Sequence, residues 1–223
     1  MKTRTVLPVV CLALVWSGSA FGQDPVKVAP EVYKVAFENA SIRVLKVHAV
    51  PGGKTPTHSH PENLVVPLSE GKIKFTTPDG KTVEPPLPNE SATFSPAETH
   101  MGMNIGKTPL DAIVVEFKSA AKPTGTLPST RDNLSIKVLA ESPRAVAYRA
   151  TADPKFHEPA GSKHDFDQIV IALAPSQMSL AMEGKPAITK WARGDVQFIP
   201  RGVAHESQNT GGKPIDFIII AVK

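Results

Sequence analysis

Apolar residues along this chain gather in short runs of strand length rather than at helical spacing. Ser41 to Val50, Leu64 to Leu68, Lys72 to Thr77 and Asp111 to Lys118 make one set of β-rich runs. Ala145 to Ala150, Gln168 to Leu173, Met178 to Met182 and Asp216 to Val222 make a second. Turn signals such as Pro78-Asp79-Gly80 and Glu183-Gly184 separate them. Long helical periodicities are absent, and 22 Pro with 15 Gly are spread along the chain. The pattern predicts an all-β protein of many short strands.

The two sets are copies of each other. Asn104, Gly106, Pro109, Asp111 and Lys118 recur 105 positions later as Asn209, Gly211, Pro214, Asp216 and Lys223, and His100 meets His205 in the same register. Upstream the offset is 104, pairing Phe94 with Phe198, Pro96 with Pro200, Gly80 with Gly184 and His60 with His164. One insertion between Pro96 and His100 reconciles the two registers. The chain therefore reads as a duplication, with repeats over 32–118 and 134–223. A strand-poor linker over 119–133 holds Pro123, Gly125 and Pro128. About a hundred residues of short antiparallel strands per repeat suits a jelly-roll barrel, so two tandem barrels are expected.

The first 22 residues stand apart. Lys2 and Arg4 precede an apolar run from Val6 to Trp16, and Ser17 to Gly22 is rich in small residues. That layout predicts a secretory signal peptide cleaved after Gly22 or Ala20, and hence a periplasmic or secreted protein. The single cysteine, Cys11, falls inside the leader, so a mature chain has no thiol and must rely on its core. The formal charge of +4 falls to +2 once Lys2 and Arg4 are removed. Without a dense basic cluster, nucleic acid and membrane surfaces are not the expected partners.

His58 and His60 sit two apart on a strand and so share a face, while His100 arrives from a later strand. Three imidazoles converging in this way form a facial nitrogen set suited to Fe, Zn, Cu or Ni more than to Mg or Ca. Glu62 has the parity to join them. The second repeat keeps His164 and His205 but has Ser162 at the first histidine position, with Gln168 at the parity of His164. His164, Gln168 and His205 are its candidate ligands, with His157 a stray fourth. His48 reads as a surface or satisfied histidine, and Lys163 and Asp167 as facing away from the site. Asn104 and Asn209 read as turn residues, through asparagine's tolerance of left-handed backbone.

These residues resemble the cupin superfamily. Its first motif places Gly, five residues, His-x-His, a glutamate three or four residues on, and a later Gly; Gly52, His58, His60 and Gly71 follow it. Its second places Gly, five residues, Pro-x-Gly, two residues, His, three residues, Asn; Gly194, Pro200, Gly202, His205 and Asn209 fill every fixed position. In the first repeat the glutamate position falls on Leu64 or Val65, and the Pro-x-Gly turn is shortened to Pro96-Ala97-Glu98-Thr99. Three histidines without the glutamate look like the variant of thiol and diketone dioxygenases, which use Fe(II).

The resemblance implies a bicupin that uses one divalent metal, Fe(II) favoured and Zn, Mn or Ni as alternatives, on a small organic substrate with dioxygenase-like chemistry. The alternative is a non-catalytic barrel that binds a small molecule or sugar. Oxalate decarboxylation is disfavoured, because neither repeat keeps three histidines and a glutamate. Association of two copies through sheet edges, as cupins often show, is a further expectation.

Overall fold

The computed structural model describes residues 22–223 apart from 123, 124 and 184. The expected leader, but for Gly22, lies outside the described residues, as do Pro123 of the linker and Gly184 of the second-repeat turn. A one-turn helix α1 (Pro25–Val28) is started by Asp24, whose carboxylate accepts from the Val26 amide at 2.9 Å. Every other regular element among the described residues is a strand.

The first half contributes β1 (Tyr33–Glu38), β2 (Ile42–Ala49), β3 (His58–His60), β4 (Asn63–Pro67), β5 (Ile73–Thr76), β6 (Thr82–Val83), β7 (Thr93–Ser95), β8 (Glu98–Asn104) and β9 (Leu110–Phe117). The second contributes β10 (Leu134–Glu141), β11 (Ala145–Ala152), β12 (His157–Ser162), β13 (Asp167–Ala172), β14 (Met178–Met182), β15 (Val196–Ile199), β16 (His205–Asn209) and β17 (Ile215–Val222). Each half builds a larger and a smaller antiparallel sheet in the same order. β1-β2-β9-β4-β7 matches β10-β11-β17-β13-β15, and β3-β8-β5 matches β12-β16-β14, with β6 added at the edge of the first-half sheet. Identities between the copies thus coincide with equivalent strand positions.

Side-chain alternation divides the core into three. On β9, Leu110 and Val114 turn into the first half with Tyr33, Leu45 and Val32. Ile113, Val115 and Phe117 turn the other way. On β17, Phe217 and Ala221 face into the second half with Tyr148, Phe156, Trp191 and Leu180. Ile218, Ile220 and Val222 turn outward and meet the first half's Ile42, Val44, Leu64 and Val66. The two large sheets therefore cover each other's outer faces. This is why β9 and β17 read as near-continuous apolar runs: both of their faces are buried. Each fully buried Leu, Ile or Val contributes about 1.5–3 kcal/mol. Phe37 of β1 stacks on Phe198 of β15 at 4.3 Å between centroids, extending the contact between halves.

Two asparagines anchor equivalent corners. Asn104 Nδ2 donates to the carbonyls of Ala49 and Thr108, and its Oδ1 accepts from Gly106 N. Asn209 donates to Ala152, Asp153 and Lys213 and accepts from Gly211 N. Both are turn residues, but neither has positive φ. Their role comes from side-chain hydrogen bonds rather than from left-handed backbone.

Candidate metal centre

β3 and β8 pair with His58 opposite His100 and His60 opposite Glu98, which puts all four side chains on one face of the smaller sheet. The three imidazoles are buried and offer ligand nitrogens within 4.8 Å of one another. Their ring centroids are 4.8 to 5.5 Å apart. The structure thus brings His58, His60 and His100 together in a group that fits a cupin metal site.

Hydrogen bonds set the tautomers. His58 Nδ1 donates to the Pro56 carbonyl at 2.7 Å, so Nε2 carries the lone pair. The Tyr33 hydroxyl donates to that Nε2 at 3.1 Å, a bond that a metal on the same lone pair would displace. His60 Nδ1 donates to Glu116 Oε1 at 2.7 Å, which leaves its own Nε2 free. Glu116 Oε2 accepts from Arg43 Nε at 2.5 Å, and Arg43 also reaches Asp24 at 2.8 Å. The chain Asp24–Arg43–Glu116–His60 is the carboxylate–histidine support that orients a ligand and raises its basicity. Burial would raise the Glu116 carboxyl, but the bonds from His60 and Arg43 outweigh it and hold it below its usual range. Burial pushes His58 down to about 4, so it is a neutral donor at neutral pH.

His100 supplies the test of fit. It is 3% exposed, yet neither of its ring nitrogens has a hydrogen-bond partner. The Glu98 carboxylate stands 3.5 Å from its Nδ1. A buried imidazole with both nitrogens unpaired loses roughly 1–3 kcal/mol per group. Coordination through Nε2 to a cation held also by His58 and His60 would remove that penalty at Nε2 and leave Nδ1 facing Glu98. A neutral, all-nitrogen donor set suits a first-row transition metal.

Several sequence expectations change here. Glu62 is turned to the surface, where its carboxylate lies 3.8 Å from the Arg144 guanidinium, and takes no part in the group. The register of β4 and β9 sets Asn63 opposite Glu116, as β13 and β17 set Gln168 opposite Ala221. Asn63, not Leu64 or Val65, therefore occupies the position equivalent to Gln168. His48 pairs with Asp111 at 2.7 Å on the surface, and His157 with Glu206 at 2.7 Å, also exposed. Asp167 accepts from the Arg201 amide, away from the histidines.

In the second half His164 and His205 meet, with ring centroids 4.8 Å apart. Gln168 is buried on the wall of a cavity of about 290 Å³ beside them. The third group within reach is Glu158 of β12, which the sequence reading did not single out. Glu116, Tyr33 and Glu98 were missed as well. Glu116 did carry a signal: of the two carboxylates on β9, Asp111 recurs as Asp216, while Glu116 has the apolar counterpart Ala221.

No family model matches the chain, and no curated protein is similar to it in sequence. Solved structures are similar. AerE from Microcystis aeruginosa is 16% identical, with a TM-score of 0.61 over 86% of this chain and 97% of that one. A cupin 2 conserved barrel domain protein from Leptotrichia buccalis is 13% identical, with a TM-score of 0.58 over 86% and 88%. The chain has a cupin fold. Another cupin neighbour, salicylate 1,2-dioxygenase from Pseudoaminobacter salicylatoxidans, is 11% identical, with a TM-score of 0.59 over 82% of this chain and 68% of that one. The all-β jelly-roll architecture agrees with these neighbours, and within it the three-histidine group is placed where it could hold a metal ion.

Proposed function

We propose that this protein is an exported bicupin metalloenzyme, two tandem jelly-roll barrels in which His58, His60 and His100 hold one Fe(II) or a similar ion. The reaction proposed is dioxygenase-like chemistry on a small organic molecule. The observation that carries the reading is the convergence of three buried imidazoles, with the Nε2 of His100 left without a partner beside two histidines whose Nδ1 atoms are already tied. His58, His60 and His100 would hold the ion, and when bound it would supply the activation of O₂ and of a chelating substrate.

The protein groups have separable tasks. Glu116 fixes the His60 tautomer and receives part of the positive charge through Nδ1. Tyr33, 6% exposed, places a neutral hydroxyl donor next to His58; burial, then Glu116 and Glu98, raise its ionisation well above the ordinary value. The Phe75 ring lies stacked on His100 at 4.2 Å between centroids and keeps bulk water from that side. Glu98, half-buried at the rim, is the one carboxylate on the histidine face positioned to exchange a proton with a bound molecule.

A second reading, a non-catalytic carrier of a small molecule, is favoured by the apolar cavity of the second half. The test is metal content of chelator-free, untagged protein beside His58→Ala and His100→Ala, followed by oxygen uptake with thiols, diketones and aromatic diols. One metal lost in both variants, with substrate-dependent oxygen uptake, supports the enzyme. A first-half site that stays empty after anaerobic loading with Fe(II), Mn(II), Zn(II) and Ni(II) leaves the carrier.

A further inference from the structure

We propose that Glu158, His164 and His205 form a second divalent transition-metal site, built differently from the three-histidine group and opening onto the second-half cavity. It does not depend on the first-half reading.

The geometry is that of a coordination polyhedron. Glu158 Oε2 lies 3.2 Å from His205 Nε2, and Oε1 lies 3.5 Å from His164 Nε2. Two bonds of about 2.1 Å at right angles span about 3 Å, and at tetrahedral angles about 3.4 Å. The two separations, one to each carboxylate oxygen, match edges of such a polyhedron with Glu158 ligating through both oxygens, and the ligand atoms of all three residues lie within 4.8 Å of one another. His205 is also turned for the task. Its Nδ1 faces the Val203 carbonyl at 3.2 Å and must donate to it, which aims Nε2 at the Glu158 carboxylate. A lone pair directed at a carboxylate oxygen is repulsive, so the pair needs a cation between them. That cation is either a proton or a metal ion.

The surroundings favour the metal. Arg131 donates to Glu158 Oε1 at 2.7 Å and Ser207 to Oε2 at 3.0 Å, fixing the carboxylate plane as supporting groups around metal sites do. Ser162, which holds the register position of His58, directs its hydroxyl to the Pro159 carbonyl and leaves its place open. Glu158 is brought in by a register shift of β12 between Glu158 and Ser162, with Gly161 at φ +87° inside it. Two histidines and one carboxylate on one side of an ion leave the opposite positions free. Here those positions face a cavity of about 290 Å³ walled by Phe156, Phe166, Trp191 and Phe217, with Lys163 at its exposed end. A small, mostly apolar molecule with an anionic oxygen donor fits that combination of walls, ion and lysine.

The test loads the full protein anaerobically with Co(II) alone and reads bound metal per chain by mass spectrometry. Co(II) quenching of fluorescence is followed in parallel, with Trp191→Phe assigning the signal. The wild type is expected to bind two ions, the His58→Ala/His100→Ala variant one, and the same variant carrying Glu158→Gln none. Saturable quenching of Trp191 should persist when the first-half histidines are removed and weaken at least tenfold in Glu158→Gln or His164→Ala. Glu158→Gln keeps the shape and a hydrogen-bonding carbonyl, and His164 is partly exposed, so a native melting transition in either certifies the fold. Complete loss of metal and of quenching in His58→Ala/His100→Ala would overturn the second site and leave Glu158–His205 a plain ion pair. One ion per chain, kept in that double variant and lost in Glu158→Gln, would instead support the second site and sink the first-half reading.

Discussion

The two halves share a strand order but differ in what stands behind their histidines. In the first, Tyr33 and Phe75 pack their rings directly against the imidazoles, and Glu116 supports His60 from β9 of the larger sheet. In the second, Ala221 replaces Glu116, Ser162 replaces His58, and the space is an apolar cavity beside Glu158. One scaffold can therefore carry two kinds of site, because sheet register fixes where side chains enter while their identity is free to change.

The largest effect that bears on this contrast is expected at Trp191, which is 4% exposed, meets Phe217 edge-on and donates to the Met178 carbonyl at 2.8 Å. Trp191→Ala should cost about 3–5 kcal/mol, because it widens a cavity that exists already. Calorimetry should show a melting point lower by roughly 10 °C; a loss below about 1 kcal/mol would mean that the second half does not rest on its cavity wall. Next comes Glu116→Gln. It leaves Arg43 with a weakened partner and is expected to cost about 2–4 kcal/mol. It should also weaken first-half metal binding about 10–100-fold while Co(II) quenching of Trp191 stays unchanged. Equal weakening at both sites would refute their independence.

Acid should separate the halves in sign. His58 is held at about 4 by burial, below its ordinary value of 6.5. The unfolded chain therefore takes up a proton between those values that the folded chain refuses, and stability is lost as pH falls from 6.5 toward 4. The upper bound is about 3 kcal/mol for metal-free protein. His205 runs the other way. Burial would lower it, but Glu158 outweighs burial and raises it, so its contribution is present below 6.5 and fades as pH rises through its folded value. Histidine NMR on metal-free protein should show His205 taking up its proton at a higher pH than His58. The smallest effect is expected for Tyr33→Phe, which removes one hydrogen bond to His58 and should cost about 1 kcal/mol in urea unfolding.

The strand pattern and the duplication were readable because alternation and repeated identities are one-dimensional signals. His58, His60, His100, His164 and His205 were readable for the same reason: motif spacing locates them without knowledge of pairing. Glu158 and Glu116 were not, since each reaches its histidine from another strand at a register that only the folded sheet defines. Asn63 shows how sensitive this is. A one-residue difference between the copies ahead of β4 moved the position equivalent to Gln168 off Leu64 and Val65. Glu62 had the right parity, but Arg144 from the other half draws it outward, and no local pattern encodes that contact.

The apolar contact between the two large sheets joins segments of one polypeptide, so dilution cannot take it apart. Two separate single-repeat chains burying the same faces would depend on protein concentration for their assembly. Tethering instead holds the partner sheet at a high, fixed effective concentration. The interface therefore holds at any protein concentration, and one copy can change its site chemistry without the other having to follow.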